Sequence, residues 1–291
     1  MPPRVRTRLH EAARRLLYQH AADDLDEGRL QAELLYGEAA GWDRAQVLAA
    51  GAEVPEHATL GRFERLLERR LRHEPFAYIL GRREFYGLTF EVGPGVLIPR
   101  PETETLVEAT LAAIRAHPRS RRAVRVADVG VGCGAVALAV AKHAPTATVF
   151  ATENSPEALA CADRNRERLG LTGRVVLLAG ELLEPVPEPL DVVTANLPYV
   201  PTAEYEALPP EIRDHEPRTA VDGGEDGLDL IRALARELTQ HLAPEASVLL
   251  EVGSDQAGVV SDLITDAIGG EERTHRDLLG IRRVVEVRLG Y

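Results

Sequence analysis

The sequence predicts an α/β fold: a mostly parallel sheet covered by helices, preceded by a smaller all-helical domain and joined to it by a β-hairpin. Three observations carry that reading. Beyond Val124, short β-rich runs alternate with helical ones, the pattern of crossover-connected parallel strands. From Arg4 to about Arg72, apolar residues recur at helical spacing. Between these regions, residues 84–92 (Glu-Phe-Tyr-Gly-Leu-Thr-Phe-Glu-Val) carry β-rich residues on both sides of Gly87, as a hairpin does.

In chain order, the first helical faces are Leu9, Ala13, Leu16, Leu17 and later Phe63, Leu66, Leu67, Leu71, which sets the all-helical domain at 1–80. The hairpin and most of the Gly-Pro-Gly-Val-Leu-Ile-Pro-Arg-Pro run after it form a linker at 81–100, and the run's three prolines, Pro94, Pro99 and Pro101, fix an extended path. The second domain, 101–291, opens with a helix carrying Leu106, Val107, Leu111 and Ile114 on one face. Strands are expected at 124–129, 148–151, 174–178, 190–194, 247–252 and 282–288. Ser155-Pro156 starts a helix with a capping serine and a first-turn proline. Another helix at 227–242 shows a stripe of Leu228, Ile231, Leu234, Leu238 and Leu242.

Composition removes several function classes. Acidic side chains exceed basic ones, 46 against 34, and a net charge of −12 opposes nucleic-acid backbones and anionic membranes. Lys142 is the sole lysine, so no Gly-Lys-Ser/Thr phosphate loop exists. The longest apolar run, 135–141, is far shorter than the roughly 20 residues of a membrane span. The first 20 residues interleave arginines with polar residues and lack the apolar core of a secretory signal, so a cytoplasmic location is expected. Cys133 and Cys161 read as packing residues. No histidine stands at metal-ligand spacing with another ligand, so no metal is expected, and no Gly-x-Ser-x-Gly nucleophile segment occurs.

The first strand of the alternating region runs into Asp128-Val-Gly-Val-Gly-Cys-Gly-Ala and then an Ala/Val-rich helix. Gly130, Gly132 and Gly134 therefore occupy a strand-to-helix turn where backbone can approach a ligand closely. Glu153 ends the next strand 25 residues after Asp128, where an acid accepts hydrogen bonds from ribose hydroxyls. Gly130-x-Gly132-x-x-Ala135 also satisfies a relaxed dinucleotide pattern, so the loop alone is ambiguous. Asp128 tilts the balance, since a carboxylate there repels a pyrophosphate but engages an ammonium directly or through water. S-adenosylmethionine has that ammonium and no phosphate. Glu181, after the third strand, is placed to accept from an adenine amino group, with Leu182 beside it.

After the fourth strand comes Asn196-Leu197-Pro198-Tyr199, at the sheet edge that also holds the glycine loop. Here the chain resembles the class I S-adenosylmethionine-dependent methyltransferases with an Asn-Pro-Pro-Tyr motif, and among them the peptide chain release factor glutamine methyltransferases. The resemblance includes the segments Glu-Pro-Phe-Ala-Tyr-Ile-Leu-Gly from Glu74, Arg-Glu-Phe-Tyr-Gly from Arg83 and Pro-Gly-Val-Leu-Ile-Pro-Arg-Pro-Glu-Thr-Glu from Pro94. It continues in His215-Glu216-Pro217, Val221-Asp222-Gly223-Gly224 and Asp-Leu-Leu-Gly-Ile-Arg-Arg-Val-Val from Asp277.

The resemblance implies a Rossmann-like, seven-stranded methyltransferase sheet with an N-terminal helical substrate-docking domain. It implies methyl transfer to the side-chain amide nitrogen of the glutamine in the Gly-Gly-Gln loop of release factors, with S-adenosyl-L-homocysteine as product. Carried over, Asn196 and the Leu197 carbonyl accept from the two amide hydrogens and Tyr199 packs on the amide plane, with Pro198 completing the catalytic segment. The cofactor set is Asp128, Gly130, Gly132, Gly134, Glu153, Glu181, Leu182 and Asn196. Two departures stand out: Leu197 replaces a proline, which removes a fixed φ, and Glu153 replaces an aspartate.

Other readings stay open: a ribosomal-protein glutamine methyltransferase, an adenine amino-methyltransferase on nucleic acid, and a silent S-adenosylmethionine-binding adaptor. The charge of −12 and the absence of a nucleic-acid module favour a protein substrate, bound by a monomer. Arg62, Arg65, Arg69, Arg70 and Arg72 read as a solvated helical face paired with Glu64 and Glu68, with docking of an acidic partner as the alternative. His215 is a loop histidine that the sequence also allows near the cavity.

Overall fold

The computed structural model describes residues 2–120, 123–187 and 189–290. The chain divides into two compact units, one of residues 1–81 with Pro210–His215, the other of residues 82–209 with 216–291. The sequence treated 101–291 as uninterrupted; the structure groups six of its residues with the helical unit instead. A buried cation lies in that unit. Arg70 is 3% exposed and donates to Gln31 Oε1 at 2.8 Å and to the Ala21 carbonyl at 2.6 Å, with Glu211 completing the ion pair. A guanidinium out of water requires that full set of acceptors.

The helical unit packs helices Val5–Tyr18, Leu25–Ala40 and His57–Leu71 around Leu16, Leu35, Tyr36, Phe63 and Leu67. Asp24 caps the second helix by accepting from Glu27 N–H, and Gly41 ends it in the left-handed region at φ 71°. Glu64 and Glu68 do pair, but with Arg15 of the first helix rather than with arginines of their own. Arg69 pairs with Glu74, and Arg62 donates to the Ala39 carbonyl and the Thr59 hydroxyl.

The second unit begins with the two-stranded ribbon β1 (Arg82–Phe85) and β2 (Leu88–Glu91). Its turn residues, Tyr86 and Gly87, have φ of 48° and 69°, as a two-residue hairpin requires. The seven-stranded sheet comprises β3 (Val124–Val129), β4 (Ala147–Glu153), β5 (Val175–Ala179), β6 (Leu190–Ala195), β7 (Leu242–Glu251), β8 (Glu271–Arg276) and β9 (Arg282–Arg288). The order is β5-β4-β3-β6-β7-β9-β8, parallel through β7, with β9 and β8 antiparallel. β3 lies between β4 and β6, so the strand order reverses there and opens a crevice at the carboxyl ends.

Two elements differ from the sequence reading. β8 went unseen because Glu-Glu-Arg-Thr-His-Arg is an almost wholly exposed, charged edge strand without an apolar face. β7 starts at Leu242, directly after the helix Asp229–His241, and absorbs a register shift between Leu190 and Val192 of its partner. Its neighbours bury Leu183, Leu190, Val193, Leu234, Leu238, Val260 and Ile264 in one apolar cluster.

Candidate functional site

At the end of β3, Gly130, Gly132 and Gly134 take φ of 75°, 56° and 92°, all in the region that favours glycine. Gly130 and Val131 donate their N–H groups to the Thr152 carbonyl at 3.0 and 2.9 Å, tying the turn to β4. At φ 92° Gly134 holds a backbone conformation that L side chains rarely adopt, and a Cβ there would also displace the Leu138 side chain, so the start of the helix Ala135–His143 favours glycine. The buried Asn165 amide donates to the Cys133 carbonyl at 2.9 Å and pairs with the Glu91 backbone, fastening the loop to β2.

Glu153, the last residue of β4, accepts from Gly132 N–H at 2.9 Å through one oxygen and from Asn154 and Ser155 N–H at 3.1 and 3.0 Å through the other. The longer acid thus spans from its own strand end to the glycine loop while still facing the cavity. Asp128, expected near the ligand's ammonium, lies behind the loop. It is 2% exposed, accepts from Ala137 N–H at 2.8 Å and is absent from the cavity wall. Burial, reinforced by the Glu153 charge, pushes its carboxyl up to about 7 against the opposing pull of that hydrogen bond.

The cavity has a volume of about 530 Å³ and is bounded by Gly130, Gly132, Glu153, Glu181, Leu182, Asn196, Leu197 and Pro198 among others. Gly134, Asp128 and Tyr199 stand outside its wall. After β5, Gly180 has φ 157°, and a Cβ there would meet Pro185 Cγ at 2.8 Å. Leu182 adopts φ 45°, strained for a leucine, and the following Leu183 N–H is held by Glu237 Oε2 at 2.9 Å. That turn carries the exposed Glu181 side chain to the cavity rim.

Asn196-Leu197-Pro198-Tyr199 leaves β6 beside the glycine loop. Leu197, in place of the usual proline, is 5% exposed and anchors the segment by burial in the sheet's apolar cluster. The backbone that follows is clamped. Val200 N–H donates to the Val221 carbonyl at 3.1 Å, Gly223 N–H to the Val200 carbonyl at 2.8 Å, and Gln256 Nε2 to the Tyr199 carbonyl at 2.9 Å. A Cβ on Gly223 would lie 2.5 Å from the Pro198 oxygen and one on Gly227 2.2 Å from the Tyr199 oxygen. These contacts add to the anchoring that the buried Leu197 side chain provides.

Asn196 Nδ2 donates to Thr103 Oγ1 at 3.2 Å. Tyr199 is largely buried, and burial, with Glu251 nearby, pushes its phenol up to about 12. Glu251, at the end of β7, is 1% exposed. Arg100 pairs with the buried Glu216 at 2.5 Å, and Glu216 also accepts from Ile98 N–H at 3.1 Å, which fixes the proline-rich segment. His215 points elsewhere: its Nε2 lies 3.2 Å from the Arg72 carbonyl in the helical unit.

Sequence reasoning passed over Thr103, Glu216, Glu251 and Gln256. Glu251 left one legible trace, an acid directly after the apolar run Val248-Leu249-Leu250, at the same sheet edge as Asn196. Thr103 and Glu216 lie in segments that carry the family resemblance, but their partners, like those of Gln256, stand across long sequence separations that no local pattern records. Among the described residues, no group of three or more His, Cys, Asp or Glu is placed to hold a metal ion, and no helix is long and apolar enough to cross a membrane.

Two family models match, the PrmC N-terminal domain over residues 9–81 and the methyltransferase small domain over residues 105–212. The release factor glutamine methyltransferase of Moorella thermoacetica is 44% identical over 260 residues, 89% of each chain. That of Geobacter sulfurreducens is 41% identical over 271 residues, 93% of each. The chain belongs to the release factor glutamine methyltransferase family. Within that family it keeps both the helical domain and the methyltransferase sheet. The fold is shared more widely: a methyltransferase of known structure from Pyrococcus furiosus superposes with a TM-score of 0.54 at 22% identity, covering 71% of this chain and 91% of that one.

Proposed function

We propose that this protein transfers the methyl group of S-adenosyl-L-methionine to the side-chain amide nitrogen of the glutamine in the Gly-Gly-Gln motif of peptide chain release factors, leaving S-adenosyl-L-homocysteine. Asn196 carries this reading. Its nitrogen is engaged by Thr103 on one side while the residue borders the glycine-loop cavity on the other, so an amide oxygen is available there. The family's curated members bear the corresponding name.

The residues present fit the cofactor. A volume near 530 Å³ falls within the ~300–1,000 Å³ of ligand pockets. No atom lies within 4 Å of a Cβ built on Gly132, leaving backbone open to close approach. Glu153 offers an acceptor at the ribose position, and the Glu181–Leu182 turn provides polar groups for the adenine. Gly130 and Gly132 provide the floor, with Gly134 starting the helix behind them. Asp128 holds that helix start rather than meeting the ligand. When bound, S-adenosylmethionine supplies an electrophilic methyl on a sulfonium.

An amide nitrogen is a weak nucleophile because its lone pair is delocalised. Asn196 Oδ1 and the Leu197 carbonyl accept from the two amide hydrogens and aim that lone pair at the methyl, the main catalytic task. The same acceptors offset the positive charge that builds on nitrogen as the S–CH3 bond breaks, and the N–H, made acidic by the new N–CH3 bond, then loses its proton to solvent. Pro198 shapes the floor, and Tyr199 closes over the amide plane once substrate is present.

The helical domain at 1–80 docks the release factor, 81–100 links it, and 101–291 performs the chemistry, in a monomer working in the cytoplasm without direct nucleic-acid contact. Mass spectrometry of a purified release factor after incubation with enzyme and cofactor tests this. A single-methyl gain that disappears when the Gly-Gly-Gln glutamine is replaced is expected. No gain, despite cofactor binding by calorimetry, defeats the substrate assignment.

A further inference from the structure

Glu251 is the last residue of β7, and the pairing of Ala195 with Leu250 sets it across from Asn196. Its carboxylate is almost wholly buried, and neither oxygen has a hydrogen-bond partner of ordinary geometry among the described residues. An unpartnered buried carboxylate opposes folding, so its presence beside the motif calls for a role. The Thr103 hydroxyl and the Asn196 amide act on this carboxyl, as do the charges of Glu102 and Arg283, and its own charge acts on Tyr199.

We propose that Glu251 is a positioning residue for methyl transfer: with Thr103 it surrounds the Asn196 nitrogen with acceptors, turns Asn196 Oδ1 to the cavity, and sets a negative charge behind the substrate amide. The proposal rests on the amide substrate put forward above. A carboxamide can be seated two ways, and its surroundings choose. Thr103 Oγ1 already accepts from Asn196 Nδ2, and a carboxylate accepts only. Flipping Asn196 would turn its oxygen onto that carboxylate and its N–H groups onto the donor hydrogens of a substrate amide, a repulsion on both sides. Because Glu251 is itself out of water, its fixed negative charge also stabilises the positive charge developing on nitrogen more than a solvated carboxylate would.

Protonation of Glu251 would cancel both effects. Burial pushes its carboxyl up to about 7; Glu102 raises it further, while Thr103, Arg283 and Asn196 pull it down. Tyr199 does not compete for the proton, since its phenol is pushed up to about 12, with Arg283 and Arg100 pulling against burial, Glu251 and Glu102.

The test compares wild type with Glu251→Gln, Thr103→Val and Thr103→Ser. Glu251→Gln is expected to lower kcat on the release factor roughly 10- to 100-fold, the scale of a lost preorganised electrostatic partner, with cofactor Kd unchanged within about twofold. Its rate should lose the rise that wild type shows between about pH 6 and 8. Thr103→Ser should restore the turnover that Thr103→Val loses. A Gln variant with wild-type kcat and the same pH profile overturns the proposal.

A second measurement needs no release factor. The Asn196 side-chain NH2 resonances of wild type should titrate with the Glu251 carboxyl near neutral pH, and no titration overturns the positioning role even if a variant fails to fold. A wild type inert on the release factor defeats only the substrate reading, while the resonance shift still decides Glu251.

Discussion

Leu197 packs its Cδ2 against Gly130, 3.3 Å from where a Cβ on that glycine would stand. The contact joins the segment proposed to hold the substrate to the loop proposed to hold the cofactor. It also shows how the chain does without proline at that position: a buried aliphatic side chain fixes from outside what a pyrrolidine ring would fix from within.

Gly130→Ala therefore meets two penalties, a left-handed φ of 75° and a tight approach to Leu197. We expect a loss of about 1–3 kcal/mol in stability. Cofactor affinity should fall with it, because the loop must shift to admit the methyl. Urea denaturation and calorimetry check this; an alanine variant with unaltered stability and Kd would show that the loop tolerates relaxation.

Asn196→Ala is expected to abolish turnover while cofactor Kd changes little, since Glu153, the glycine loop and the Leu182 turn hold the cofactor from other strand ends. A single-turnover assay beside a calorimetric titration separates the two. Full activity in this variant would refute the assignment of Asn196.

Asp128 makes stability depend on pH in an uncommon direction. Its carboxyl rises from an ordinary 3.8 to about 7 on folding, so between those values the folded protein holds a proton that the unfolded chain has released. Stability from this group is complete below about pH 4, declines as pH rises to about 7, and is level above. Asp128→Asn keeps an acceptor for Ala137 N–H without the charge. It should match wild type near pH 4 and exceed it at pH 8 by up to a few kcal/mol, at ~1.4 kcal/mol per pKa unit. Denaturation curves that stay parallel across that range would falsify this account.

Cys133 and Cys161 are both free and buried, and burial pushes both thiols up. Thiolate is the reactive form, so neither should react with an aromatic disulfide reagent in the native protein, and two thiols should appear on unfolding. Rapid native labelling of either would contradict the packing role.

The sequence by itself determined the alternation of strands and helices, the glycine turn, the acid that follows it and the Asn-Leu-Pro-Tyr segment, because each is written in neighbouring residues and their periodicity. It also carried the family. Local rules missed β8, whose exposed charges mimic a loop, and gave no sign that the Asp128 carboxylate is buried and accepts from Ala137 N–H. Only the tertiary structure decided what stands behind Asn196. Thr103 and Glu251 come from segments about 93 residues before it and 55 after it, Glu251 brought there by parallel strand pairing and Thr103 by the helical turn that packs beside it. Side chains that act through such pairing have no local signature, since what defines them is burial beside a partner that the chain reaches only once folded.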